Sequence, residues 1–309
     1  MLANCLARWQ TGLEREWRVA MIPELMAEGQ ADCGGTRWFD LADRATGAVR
    51  RVFLWVPPGE PPASGWPSLI MTDGNAVIGT AVDAMRAQAF YPSGTNLGWG
   101  VLIAVGYPTS DAYDPFRRSW DLGPPPGATY PPFWPDTPPV RTGGGAEMAR
   151  FILEDVRAFL APRVPLDHTR AGLFGHSFGG LFALWLLFTR PDAFSHWIAA
   201  SPAITWEDSF LLTHRAGFAP LGRQIFVHLS AGEWEGDRLA PFQVGAEDAE
   251  KRLSEKATTR TIAAAIEMAE HLSALDSVTA SYETYAGETH MSVLPVAVNR
   301  ALHCVFALR

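Results

Sequence analysis

The sequence predicts an α/β protein: a mostly parallel central sheet of about eight strands with helices on both faces. Three observations carry this. Short apolar runs alternate with segments of helical spacing, a hairpin leads the series, and a Gly-His-Ser-Phe-Gly-Gly turn joins one apolar run directly to a helical one. Strands that are apolar throughout, rather than at every second residue, are what a parallel sheet covered on both faces requires.

Residues 1–35 carry weak helical periodicity (Leu6, Trp9, Leu13, Trp17) and read as an N-terminal peripheral segment. From Thr36 the pattern alternates. Residues 37–41, a turn at Ala45-Thr46-Gly47 and residues 49–56 read as an antiparallel hairpin, ended by Pro57-Pro58-Gly59. Further strands are expected at residues 68–72, 101–106, 170–174, 197–200, 225–230 and 279–285. Helices are expected at residues 146–160, where Met148, Phe151, Ile152, Val156, Phe159 and Leu160 form one stripe, and at 178–188, 261–275 and 291–306. One α/β domain over residues 36–309 fits this rhythm better than two.

Two segments break it. Residues 107–145 form a long loop rich in Pro and aromatics, with nine of the 24 prolines between Pro115 and Pro139, and a loop of that length reads as a cleft wall or lid. Residues 243–260 are charged and read as a solvated helix face.

Composition narrows the function classes. The 309-residue chain has 48% hydrophobic residues and a net charge of −8, which argues against a disordered chain and against a nucleic-acid binder. No apolar run is long enough to cross a bilayer. The three cysteines, Cys5, Cys33 and Cys304, are scattered and match neither a zinc site nor a disulfide framework. No signal peptide is visible at the N-terminus, so a cytoplasmic enzyme is expected. No Gly-rich phosphate loop, dinucleotide fingerprint or metal-ligand cluster is visible, so no cofactor and no metal are expected. Nothing in the sequence fixes an oligomeric state.

The chemistry points to Ser177. In Gly175-His176-Ser177-Phe178-Gly179 the serine lies between a strand and a helix, the context a nucleophile elbow needs. The flanking glycines give room for a tight turn, and the helix N-terminus favours developing negative charge. Of eight histidines, His290 is the expected base: it follows the last strand by a short loop. His271 and His303 fall inside helices, and His176 cannot easily fold back onto its neighbour's hydroxyl. The orienting acid is expected after the 225–230 strand, where Glu233, Glu235 and Asp237 all lie. Spacing favours Glu235, with Glu233 the runner-up; a dyad without an acid stays open. The oxyanion hole is expected from the amide of Phe178 and from Gly74 or Asn75, in the loop after an early strand.

These residues carry a family resemblance. Asp73-Gly74-Asn75, Gly106-Tyr107-Pro108, Arg117-Arg118, the Gly175–Gly180 motif, Ser201-Pro202, Gly232-Glu233-Trp234-Glu235 and Thr289-His290-Met291-Ser292-Val293-Leu294-Pro295 resemble the α/β-hydrolase family known as "Putative esterase". Within it the chain is most similar to siderophore esterases that open the trilactone of enterobactin and salmochelin, over roughly residues 36–308. The resemblance implies the α/β-hydrolase fold, Ser177 and His290 as nucleophile and base, and a small-molecule ester substrate such as a ferric siderophore. Some members of that subfamily lack a well-placed acid. Arg117 and Arg118 match the family's basic residues that meet an anionic ferric catecholate. Asp73, Arg117, Arg118 and Trp206 are therefore the substrate-binding candidates, with Arg141 a third arginine for a local basic patch. Two other readings stand beside this one: a small-acyl or thioester esterase similar to S-formylglutathione hydrolase, and a catalytically silent ligand-binding protein on the same fold.

Overall fold

The computed structural model describes residues 33–220 and 222–308. The expected peripheral segment therefore lies outside the described residues, apart from residues 33–35. The element series begins with the hairpin, β1 (Arg37–Ala42) and β2 (Val49–Trp55), paired antiparallel. It continues with β3 (Trp66–Met71), α1 (Gly74–Ala89), β4 (Val101–Gly106) and α2 (Pro115–Leu122). A small ribbon, β5 (Thr129–Tyr130) and β6 (Val140–Arg141), is followed by α3. That helix opens at Gly145–Arg150, widens to a π-helix over Phe151–Val156 and closes at Arg157–Leu160. Then come β7 (Leu166–His176), α4 (Phe178–Thr189), β8 (His196–Ala200) and β9 (Ile225–Gly232). The chain closes with α5 (Ala249–Thr259), α6 (Thr261–Ser273), β10 (Val278–Tyr285) and α7 (Val293–Phe306).

The main sheet has eight strands in the order β1-β2-β4-β3-β7-β8-β9-β10. From β4 to β10 all neighbours run parallel; only the β1–β2 and β2–β4 pairs are antiparallel. Side chains along each inner strand point alternately to two separate cores. Ile70, Ile103, Val105 and Leu173 pack with Phe151 and Ile152 of α3, Phe182 and Leu186 of α4, and Met268 and Leu272 of α6. Leu69, Met71, Leu102, Ala104 and Phe174 pack on the opposite face with Val77, Val82 and Met85 of α1 and Val298 and Leu302 of α7. Each inner strand is apolar throughout because it feeds both layers.

The fold adds short helices at Pro92–Thr95, Trp206–Ser209 and Leu211–Ala216 that were not expected, and it differs from the expectation in larger features as well. Helix α1 joins the expected helices; its Val77, Ile78, Ala81, Val82, Met85 and Ala89 form a buried stripe. Strand β7 begins at Leu166, four residues before the expected start at 170. The long 107–145 segment is not irregular throughout, since it holds α2 and the β5–β6 ribbon. With this sheet order, the chain after β3, β7, β9 and β10 emerges at one edge of the parallel strands, and Gly74, Ser177, Glu235 and His290 lie there.

Candidate active site

Ser177 sits between the end of β7 and the start of α4 with φ 58° and ψ −115°. A non-glycine residue there carries strain of about 1–3 kcal/mol, tolerated only where the surroundings impose it. Here they do. The Ser177 N–H donates to the Ala200 carbonyl at 2.9 Å, and its own carbonyl accepts from Ala203 at 3.3 Å. The flanking glycines are needed for close approach: a Cβ on Gly175 would lie 2.0 Å from the Gly179 carbonyl oxygen, and one on Gly179 would lie 2.4 Å from Thr72 Oγ1.

His290 lies in the turn between β10 and α7. Its Nε2 is 3.0 Å from Ser177 Oγ and its Nδ1 is 2.6 Å from Glu235 Oε2. Glu235 is buried and its other oxygen accepts from Ser201 Oγ at 2.5 Å and from the Gly232 N–H at 2.8 Å. Burial opposes its charge, but the hydrogen bonds from His290, Ser201 and Gly232 outweigh it and hold the carboxyl below its ordinary value of 4.5. Of the three candidate carboxylates, the structure thus brings Glu235 to His290. Glu233 turns the other way: its Oε2 accepts from the Gly287 N–H at 2.8 Å, tying the loop before His290 to the end of β9. Asp237 is exposed. His303 and His271 lie on α7 and α6, and His303 Nε2 bonds Gln88 at 2.8 Å.

At the oxyanion positions, Phe178 is the first residue of α4 and Gly74 the first of α1. A Cβ on Gly74 would sit 2.9 Å from the Val105 carbonyl carbon, so the backbone packs against β4 with no room for a side chain. The Asn75 side chain is engaged elsewhere: it donates to the Tyr107 and Thr109 carbonyls at 3.1 and 3.0 Å and accepts from the Tyr107 N–H at 2.9 Å. Only its backbone is left for an oxyanion.

The substrate-binding candidates divide. Trp206 lines the cleft above Ser177 and packs edge-on against Phe178, with ring centroids 4.6 Å apart. Asp73 and Arg118 instead pair with each other through two bonds of 2.8 and 2.9 Å, both side chains largely buried. Each satisfies the other's charge, and Asp73, at φ 54°, is held in the left-handed conformation that starts α1. Arg117 donates to the Val49 carbonyl and lies 4.9 Å over the Tyr107 ring. With Arg141 it lines a different cavity, of about 320 Å³, beside Phe116 and Trp120. The expected basic patch of Arg117, Arg118 and Arg141 is therefore not built around Ser177.

The cleft is about 420 Å³ and is lined by Trp206, Trp234 and Met291 as well as Ser177 and His290. One wall comes from α5, where the basic Arg252 and Lys256 face the cleft together with the acidic Glu255 and with Thr259. Arg252 pairs with Asp248 at 2.6 Å, and Lys256 Nζ donates to the Trp234 carbonyl. Sequence reasoning missed these residues because a charged amphipathic helix reads as solvated. The available signal was their i, i+3, i+4, i+7 spacing, which places all four on one face. The 107–145 segment touches the cleft from behind: the Tyr130 ring packs 5.1 Å from Trp206, which lines it.

Among the described residues no helix is long and apolar enough to cross a membrane, and no cluster of His, Cys, Asp and Glu is arranged to hold a metal.

The model of the family "Putative esterase" matches residues 44–291 of this chain. The chain belongs to this family. It is an esterase, a hydrolase of carboxylic ester bonds on the α/β-hydrolase fold. The esterase is 33% identical to the ferri-bacillibactin esterase BesA of Bacillus subtilis over 279 residues, covering 89% of this chain and 90% of the relative. It is also 33% identical to the siderophore triacetylfusarinine C esterase of Aspergillus fumigatus over 250 residues, 78% of this chain and 81% of that one. Among solved structures, the siderophore hydrolase EstB of Aspergillus nidulans superposes with a TM-score of 0.77 at 26% identity, covering 91% of this chain and 98% of the other.

Proposed function

We propose that this esterase hydrolyses siderophore-type lactone esters, with Ser177 as nucleophile, His290 as general base and Glu235 as the orienting acid. The observation that carries the catalytic assignment is the unbroken chain Ser177 Oγ–His290 Nε2, 3.0 Å, and His290 Nδ1–Glu235 Oε2, 2.6 Å. In the acylation step His290 Nε2 takes the hydroxyl proton as Ser177 Oγ adds to the ester carbonyl. The oxyanion rests on the amide of Phe178 and one from the Gly74 region at the head of α1. The intermediate collapses, the proton on His290 passes to the leaving alkoxide, and water then releases the acid from Ser177. Glu235 holds the imidazole tautomer and offsets its positive charge.

The siderophore half rests on the names of the relatives and on the cleft. An opening of about 420 Å³ walled by Trp206, Trp234 and Met291 is large for a formyl or acetyl group and suits a macrocyclic ester with aromatic arms. At one wall Lys256 takes the role first expected of Arg117, Arg118 and Arg141, beside Glu255 and beside Arg252, whose charge is met by Asp248. A ferric siderophore would enter as substrate.

The test is a panel of a triscatecholate trilactone, a hydroxamate ester siderophore, S-formylglutathione and p-nitrophenyl acetate, each with and without iron where it binds iron. The expected result is stepwise ring opening of a siderophore at the highest kcat/KM, lost in Ser177→Ala. Fast turnover of S-formylglutathione with every siderophore inert would move the substrate to the small-acyl thioesters.

A further inference from the structure

The mechanism above leaves one buried titratable group unused. His176 is the last residue of β7 and the neighbour of Ser177, and its side chain is buried. Its Nε2 lies 2.8 Å from the backbone carbonyl of His290, and its ring lies against the His290 ring with centroids 4.8 Å apart. A carbonyl can only accept, so Nε2 carries the hydrogen. Burial, together with the adjacent His290, lowers the ionisation of His176 to about 4 against the pull of Glu235 and Asp73, so the ring is neutral near pH 7.

From this geometry we infer that His176 is a positioning residue for the base: its Nε2–H anchors the His290 carbonyl and its ring backs the His290 imidazole. The inference rests on the reading of Ser177 and His290 as nucleophile and base. His290 rides on a turn, and its side chain is 45% exposed. The bond to Glu235 sets the tilt of its ring, and the tethers from Glu233 to Gly287 and from Trp234 N–H to the Glu288 carbonyl hold the residues before it. The His176 bond acts on the backbone of His290 itself. It also starts one peptide from Ser177, so the same strand end fixes both nucleophile and base. Displacing a reacting group by about 1 Å costs on the order of 10²-fold in rate. Neutrality matters as well, because a cation at that ring would oppose the imidazolium formed during acylation.

The discriminating variants are His176→Gln, whose amide N–H stands near the position of Nε2, and His176→Phe, which keeps a ring and loses the donor. His176→Asn is the second control, since its shorter amide falls short of the carbonyl. With p-nitrophenyl acetate, His176→Phe and His176→Asn are expected to lose roughly 10²-fold in kcat with little change in KM, and His176→Gln to recover most of it. A role in packing alone predicts the reverse order, because an apolar ring suits a buried site better than an amide. Phe equal to or better than Gln, or all three variants matching wild type, overturns the proposal. Labelling by a fluorophosphonate separates the two levels. Wild type that fails to label at Ser177 overturns the reading beneath, and with it the proposal. Wild type and His176→Phe labelling at the same rate overturns the positioning role alone.

Discussion

Glu235 and Glu233 stand two residues apart and do different work. Glu235 is buried and bonded to His290, Ser201 and Gly232, whereas Glu233 is partly exposed and braces Gly287. Glu235→Gln is therefore expected to lower kcat by roughly 10³- to 10⁴-fold, the scale seen when the acid of such a triad is neutralised. Glu233→Gln should stay within about tenfold of wild type; steady-state kinetics on one ester compares the two. Because the Glu235 pKa is depressed, its stabilising charge is fully present above 4.5 and is lost as pH falls through the folded value. The sequence could not separate these carboxylates. Three lie in one short loop, and which one points inward depends on the turn that Glu235 itself caps.

At the scale of elements, the strands were legible for a physical reason: parallel strands covered on both faces must be apolar at successive residues, and few other structures need that. The elbow was legible because Gly175 and Gly179 are required by contact. Gly175→Ala places a Cβ into the Gly179 carbonyl and should lower stability by about 1–3 kcal/mol or more, read as a drop in melting temperature. Helix α5 was legible as a helix but not as a cleft wall, since a polar stripe facing a wet cleft has the same sequence pattern as one facing bulk water. Its function is testable. Lys256→Met should raise KM for an anionic ester roughly fivefold relative to a neutral ester of the same size, and the difference should shrink at high salt. Arg117 and Arg118 misled because a motif gives proximity in sequence and not the partner of a guanidinium. Arg118 is consumed by Asp73, and that pair braces the head of α1 where the second oxyanion amide is expected.

Across the whole molecule, a buried chain of alternating charges ties the antiparallel edge of the sheet to the Pro-rich segment. Arg50 on β2, only 1% exposed, bonds Asp121 of α2 at 2.5 and 2.9 Å and Asp43 of the hairpin turn at 3.1 Å. Asp43 also accepts from Arg150 of α3, which in turn bonds Asp155 at 3.1 Å. Burial opposes the charge of Asp43, but the N–H groups of Thr46 and Ala45 and the Arg150 guanidinium lower its pKa below 3.8; Asp155 is lowered likewise, against burial, by Arg44 and Arg150. Their contribution to stability is complete above that value and is lost as pH falls through the folded values. Arg50→Met leaves two carboxylates short of a partner and should cost about 3–5 kcal/mol at pH 7 in urea unfolding. The cost should shrink as the pH falls through the lowered value of Asp43 and that carboxylate takes up its proton. None of this network was visible in the sequence, where its members are spread over more than a hundred residues.

The account turns on Ser177 being a nucleophile activated by His290. The direct measurement is the rate of fluorophosphonate labelling of the folded protein, with the adduct located by peptide mass. Stoichiometric modification at Ser177, slowed by several orders of magnitude in His290→Ala, is the predicted result. No adduct, an adduct on another residue, or labelling of His290→Ala as fast as wild type would contradict it.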